Sequence, residues 1–339
     1  MSNTGGVPLE NMLKRIGGIR NYFLTTKYAG PLAIFIALIV ALAIFTPENN
    51  FIRPGNIINL LSFGPEFTII VLGAGILMIS GEFDLSVGSV LAFTGFIFTW
   101  LYGLGVNPFL ALLLTIGCGV GIGLINGLIT VKAKILSFVA TLGAMMIWRG
   151  LTLIFTEGNQ IPAQTSKNPV FTNLLTGELF GFFPMPAVWF LVFAIVLGFI
   201  LHKNRYGNWI YATGNHPTAA RAMCINTDMV KIISFMTVSG LVAFAAVMQT
   251  VRVAAFSSRI GTDWELKVIA ACVVGGTSLL GGRGSMGGIF LGGLIIIVIE
   301  NALTVARLPY EWTYMVYGLV IMFAALLDLY IEGRRLKLT

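Results

Sequence analysis

Few of the 339 residues are of a type that does covalent chemistry, and none is spaced to do it. The two histidines, His202 and His216, are isolated, so no H-E-x-x-H pair offers a zinc site and no G-x-S-x-G elbow offers a serine nucleophile. Cys118, Cys224 and Cys272 lie in or beside apolar segments at uneven intervals, which reads as buried inert thiols and not as a disulfide framework or a C-x-x-C ligand pair. Residues 282–287 match the letters G-x-G-x-x-G without a βαβ pattern around them, and GGTSLLGGR lacks the Gly-Lys-Ser/Thr ending that sets a lysine on nucleotide phosphates. No catalytic residue, metal or cofactor of the chain's own is expected. Any work driven by nucleotide must be done by another protein.

The remaining candidates are ionisable groups inside or beside apolar stretches: Glu66, Glu82, Asp84, Arg149 and Glu300. Such groups are costly in lipid and often functional. Most sit near the ends of apolar runs, where snorkelling or helix capping explains them without function, and that is the favoured reading. Asp84, just before Leu-Ser-Val-Gly, is placed to cap a helix start with its carboxylate. A proton relay would want carboxylates deeper in the bilayer, which argues against an ion-coupled carrier.

The elements that must position these groups follow from composition. Apolar residues make up 57% of the chain and charged ones 10%, against about 25% charged in soluble domains. The mean hydropathy is +0.89, and the apolar residues fall in blocks near the ~20 residues that cross a bilayer core. The expected fold is all-α: a polytopic transmembrane bundle of about ten spans, near 29–46, 57–80, 86–104, 107–130, 135–156, 187–202, 230–251, 265–280, 285–304 and 313–331. The first block, Ala29 to Phe45, follows a basic leader with no A-x-A cleavage signal after it and reads as a retained span. Gly64-Pro65 in the second block and the glycines after the eighth mark both as candidates for broken helices.

The net charge of +7 belongs to topology and not to a nucleic-acid face, because Lys and Arg cluster at block ends. With both termini cytoplasmic, 14 of the 21 Lys and Arg residues fall on the inside, as the positive-inside rule asks. The division is then a cytoplasmic segment 1–28, a membrane domain 29–331 and a cytoplasmic tail 332–339. An outer connection, 157–186, is polar and then Pro-rich and suits a lid or docking surface. An inner one, 203–229, has a short helical stretch after Pro217 and reads equally as a partner-binding element or a surface connector. Gly117, Gly119, Gly121, Gly123 and Gly127 crowd the fourth span, and Gly284, Gly288 and Gly292 open the ninth at four-residue spacing, so both faces should pack against other helices. Gly88-Ser89 and Gly284-Ser285 form a weak echo six spans apart, as in a parallel repeat.

Four ordered segments resemble the permease subunits of ribose-type monosaccharide ABC importers, within the permease family that also includes branched-chain amino-acid importers. They are ILMISGEFDLSVGSVLA from Ile76, INGLITVKAKILSFVATLGAMMIWRGL from Ile125, the inner loop from Tyr206-Gly207 to Ala219-Ala220, and IAACVVGGTSLLGGRGSMGGIFLGG from Ile269. The resemblance implies a transport subunit of the cell inner membrane that is not itself an enzyme. Its partners would be an ABC ATPase that binds the ATP, a periplasmic solute-binding protein, and a second permease copy or paralogue. ATPase coupling would rest on Gly214, Asn215, Ala219, Ala220, Arg221, Met223 and Ile225, and the signature turns on Asp84, Ser86, Gly88, Gly282, Arg283 and Gly284. One departure stands out: Cys224 precedes Ile225 where the family has glycine.

A monosaccharide presents hydroxyls without charge, so its path needs neutral polar groups and aromatic edges. Phe63, Asn126, Ser137, Thr141 and Trp148 are candidates, although each serves equally as an interhelical hydrogen bond or packing residue. An ion-coupled secondary transporter and a membrane-embedded scaffold or enzyme are the competing readings. The first needs a deep acidic residue and the second converging catalytic groups.

Overall fold

The computed structural model of the chain describes residues 28–46, 51–163, 165–307, 309, 311–319 and 322. The expected cytoplasmic segment, apart from Tyr28, the end of the last span and the C-terminal tail lie outside these residues. The long helices are α1 (Ala29–Phe45), α2 (Pro54–Ile79), α3 (Val87–Gly103), α4 (Pro108–Lys132), α5 (Ser137–Thr156), α7 (Met185–Lys203), α10 (Thr227–Val253) and α12 (Met286–Val305). Between them stand the shorter α6 (Pro169–Thr176), α8 (Arg205–Asn215), α9 (Pro217–Ala222) and α11 (Trp264–Val274), and residues 311–319 are helical. Among the described residues six helices, α2, α4, α5, α7, α10 and α12, are long and apolar enough to cross a membrane, while α1 and α3 are shorter apolar helices.

Asparagine, serine and proline set many of the starts. Asn107, Asn168, Asn204 and Asn226 each accept a hydrogen bond from a first-turn amide of α4, α6, α8 and α10, and Ser285 does so for α12. Proline occupies the first turn of α2, α4, α6 and α7, where its missing N–H costs nothing.

The centre of the bundle is α2 against α10 and α12. In the apolar windows of α2 and α10, 78% and 72% of residues are buried, against 17% in α5. Small residues bring the backbones together. Gly73 lies on Val238 of α10, Gly64 and Gly75 take Ile297 and Ile289 of α12, and Gly293 takes Thr68. In α4 the stripe Gly119, Gly123, Gly127 presses on α10, where added Cβ atoms would come within 2.6, 2.5 and 3.0 Å of neighbouring atoms. Gly117 and Gly121, expected to pack likewise, meet nothing within 4 Å, because they lie on the opposite face of the helix.

The second span, a candidate for a broken helix, is continuous through Pro65. The Thr68 hydroxyl donates to the carbonyls of Gly64 and Pro65 at 3.1 and 3.2 Å, beside the position where proline removes a ladder donor. The eighth is not a full span. α11 has 11 residues, about 16 Å of helix, and ends at Gly275 before an irregular loop over 276–285. The segment leading into α11 starts at β4 (Ala255–Ser257), paired with β1 (Gln160–Pro162) beyond the end of α5, and dips until Gly261 lies against Gly88 in the first turn of α3.

The connection 157–186 is folded and not a free lid. It holds β1, the ribbon of β2 (Glu178–Leu179) with β3 (Phe183–Pro184), and α6, whose buried Phe171 packs against Phe98 and Phe109 at ring distances of 5.9 and 5.2 Å.

Candidate functional site

α2 ends at Ile79, whose carbonyl accepts the backbone N–H of Gly282 at 2.8 Å. Gly214, near the end of α8, lies so close to the same carbonyl that a Cβ there would overlap it. Gly281 faces Gly81 and Gly282 faces Asn215, each near enough that a Cβ would fall within 2.7 Å of the opposing Cα. Both of these loop glycines have left-handed φ values, 83° and 71°, which L side chains rarely adopt. Tyr211 donates its hydroxyl to the Gly284 carbonyl at 2.9 Å. Burial pushes that phenol up to about 12, so it remains a donor. The end of α2, the end of α8 and the 276–285 loop thus meet backbone to backbone.

Residues 80–86 lead from this junction into α3 and are gripped on every side. Glu82 forms an ion pair with Lys231 of α10. The amides of Phe83 and Leu85 donate to Ser137 Oγ at 3.2 Å and Thr141 Oγ1 at 3.0 Å, both on α5. Asp84 Oδ1 accepts the Ser86 amide at 2.8 Å and the Ser86 hydroxyl at 2.5 Å, and Ser86 Oγ accepts the side-chain amide of Asn126 at 3.0 Å. Asp84 therefore does not cap α3 as expected. Ser86 occupies the cap position, and Asp84 binds the residue in front of the helix. Asp84 Oδ2 is buried without a hydrogen-bond partner. Burial raises the Asp84 carboxyl above the ordinary carboxylate range, opposed by the hydrogen bonds from Ser86.

Past the junction, α8 and α9 lie outside the array of long helices. Ala220 is buried and Ile225 packs on the core, while Ala219, Arg221 and Met223 face outward. Arg221 braces the turn into α10, donating to Thr227 Oγ1 at 2.7 Å and pairing with Asp228 at 2.8 Å. Cys224 is exposed with φ 60°, so the backbone keeps the left-handed conformation that glycine favours even though the side chain differs. His216 precedes α9, and His202 Nε2 accepts the Met286 amide at 3.1 Å.

The five path candidates separate. Asn126 and Trp148 border a hollow of about 380 Å³ between α4 and α5, otherwise lined by apolar side chains such as Ile125, Ile129, Val139 and Ile147. Ser137 and Thr141 are buried on the turn just described, and Phe63 is half-buried against the core on α2.

Snorkelling accounts for neither of two further ionisable residues. Glu66 is 1% exposed and binds Arg252 through two hydrogen bonds of 2.5 and 2.9 Å. Arg149 donates to the carbonyls of Ser258 and Ile260, both at 3.0 Å, and of Gly88 at 3.3 Å, tying α5 to the dipping segment and to α3. Glu300 pairs with Lys267 at 3.1 Å, and that ammonium stands 5.2 Å from the Tyr317 ring centre. Among the described residues no group of three or more His, Cys, Asp or Glu could hold a metal ion.

Sequence reasoning names Gly214, Asn215 and the 282–284 turn in separate lists, and the structure joins them. It passes over Gly81, Gly281, Tyr211, Lys231 and Arg252. Tyr211 stands inside a segment already singled out. Glu82 and Lys231, 149 residues apart, leave no spacing signal.

Comparison with known proteins gives a consistent result. The family described as the permease component of the branched-chain amino acid transport system matches residues 56–325. The ribose import permease protein RbsC of Escherichia coli K12 is 32% identical over 319 residues, covering 91% of this chain and 96% of the relative. Its counterpart in Haemophilus influenzae is 36% identical over 306 residues, 89% of this chain and 94% of the relative. The xylose/arabinose import permease protein XylH of Sulfolobus acidocaldarius is 31% identical over 300 residues, 86% and 82% of the two chains. No solved structure matches the chain.

Proposed function

We propose, since the chain belongs to the family of branched-chain amino acid transport system permease components, that it is the conducting subunit of an ATP-binding-cassette importer in the bacterial inner membrane and passes a monosaccharide or similar small polar solute. The ribose and xylose/arabinose import permeases among its relatives support that solute class. About ten crossings with both termini cytoplasmic fit the charge distribution, the eighth made by the dipping segment and α11 together. An ABC ATPase docks on α8 and α9, a periplasmic binding protein meets the outer cap around α6, where Val170, Phe180 and Phe182 are exposed, and a second copy or paralogue completes the pathway. ATP is held by the ATPase.

The observation that carries this reading is that α8, which leads straight into the largely exposed α9, is locked to the end of α2 at the glycine junction. A partner pushing there moves membrane helices and not a loose loop. The ion-coupled alternative gains no support, because the deep carboxylate Glu66 is already neutralised by Arg252. The test is copurification followed by reconstitution. A tagged chain from its native membrane should bring down an ATPase, and vesicles containing both with the periplasmic protein should take up radiolabelled ribose or xylose with ATP. Ala219→Arg, at an exposed position of α9, should insert normally and lose the ATPase. Uptake on an ion gradient without the ATPase, or normal ATP-driven uptake by the Ala219→Arg variant, rejects the assignment.

A further inference from the structure

α5 is held to the rest of the molecule in an unusual way. Its fully buried residues are Ser137, Thr141, Ala144, Thr152 and Thr156, all small, and its larger apolar contacts, Trp148 on Phe93 and Phe155 on Phe96 of α3, lie toward its far end. Thr152 and Thr156 turn their hydroxyls back onto the helix's own carbonyls, at 2.8 and 2.7 Å. At one end of α5 the ties to other elements are Ser137 and Thr141. Thr141 donates its proton to the Ser137 carbonyl at 2.7 Å. That commitment leaves the oxygen lone pair aimed at the Leu85 amide, while Ser137 Oγ receives the Phe83 amide. Toward the other end the ties are Arg149 and the packing of Trp148 and Phe155 on Phe93 and Phe96 of α3.

The turn that Ser137 and Thr141 hold is the same one that leaves the glycine junction. Gly81 opens it, wedged between Gly281 and Gly214. Contact there is backbone on backbone, with no flexible side chain to absorb a displacement. Lipid-facing and hollow-lining side chains cover most of the remaining surface of α5, and Val139, Ile147 and Trp148 form one wall of the hollow beside α4.

We infer that Ser137 and Thr141 are positioning residues for coupling: their hydroxyls pass a displacement of α8 and α9, through the 80–86 turn, to α5, which opens or closes the hollow between α4 and α5. The inference rests on the importer reading, since it needs a partner that moves α8 and α9. It assigns to these hydroxyls a mechanical role in place of contact with solute.

Thr141→Val keeps the shape and removes the acceptor; Ser137→Ala does the same for its neighbour. Both would be measured in vesicles holding the complete complex with its ATPase and periplasmic protein, with radiolabelled ribose as the probe. The quantity read is ribose taken up per ATP hydrolysed. The double variant should hydrolyse ATP near the wild-type rate while uptake per ATP falls about tenfold, the change that about 1.4 kcal/mol lost from coupling produces. Thr141→Ser, which restores an acceptor, should recover most of the ratio. A double variant with the wild-type ratio overturns the inference. So does a proportional fall in hydrolysis and uptake, the signature of a damaged fold. Should the double variant fail to insert, Thr141→Val alone decides by the same ratio. Wild-type vesicles that show no ATP-driven uptake would instead reject the importer reading, and the inference with it.

Discussion

Gly214 and Gly121 predict opposite outcomes for one substitution. At Gly214 a methyl group would overlap the Ile79 carbonyl, and neither backbone can retreat without opening the junction. Gly214→Ala should lower the detergent melting temperature, with a cost of about 1–3 kcal/mol from overpacking, and should reduce uptake. At Gly121 an added Cβ meets nothing, so Gly121→Ala should be neutral or stabilising by up to about 1 kcal/mol, the helix-propensity difference. Parallel melting curves decide both; equal effects would show that the junction is loosely packed. At this scale the sequence is informative about kind and silent about partner. Glycines at four-residue spacing say that helices meet, but nothing in residues 117–127 says which of the two faces is covered. Likewise Glu66 is visible as a charge in an apolar run, whereas its counter-ion Arg252 is found only once the fold brings α2 against α10.

Elements were legible where a proline or asparagine stands at the boundary and an apolar run is long. α4, opening at Asn107-Pro108, lies within a few residues of the expected 107–130. The failures have physical causes. α6 is eight residues with two buried apolar side chains, Phe171 and Leu175, too short a pattern to separate from a loop. α11 reads as a full span because Leu279 and Leu280 resume its apolar run, yet Gly275 and Gly276 end the helix first. The dipping segment before α11 gives no signal at all, because Arg149 holds it through carbonyl oxygens, which every residue has. Its dependence on that one side chain is testable. Arg149→Gln should leave the long helices protected and raise amide hydrogen exchange over 258–263 by at least about tenfold, what losing about 1.4 kcal/mol of local stability gives. Unchanged exchange there would mean that the β1–β4 pairing and the Ser258–Gly158 and Tyr314–Asp263 hydrogen bonds hold the segment without Arg149.

Across the whole molecule burial is lopsided, deep in α2 and α10 and shallow in α5 and α7. The fold class was legible from composition and block length. Which helices lie at the centre was not, since α7 has the highest hydropathy of the six spans and is among the least buried. Hydropathy measures affinity for hydrocarbon and does not rank burial: α5, the least buried of the six, has the lowest value. Orientation has an internal reporter. Cys224 is exposed on the inner connection, Cys118 is half-buried and Cys272 is buried. A membrane-impermeant maleimide should therefore label the unmodified protein in inside-out vesicles and not in right-side-out ones, with Cys224→Ser abolishing the signal. Labelling from the outer side would invert the topology and remove α8 and α9 from reach of any cytoplasmic ATPase.

The Glu66–Arg252 pair also bears on how the protein is made. The carboxylate is synthesised 186 residues before its guanidinium. At about 5–20 residues per second, α2 waits on the order of ten to forty seconds in the translocon or the lipid with an unmatched acidic group. During that interval Glu66 must be protonated or screened by the insertion machinery. A nascent chain halted before α10 therefore holds a polar defect at its centre, and quality-control proteases that survey the bilayer have a feature by which to tell the unfinished subunit from the finished one.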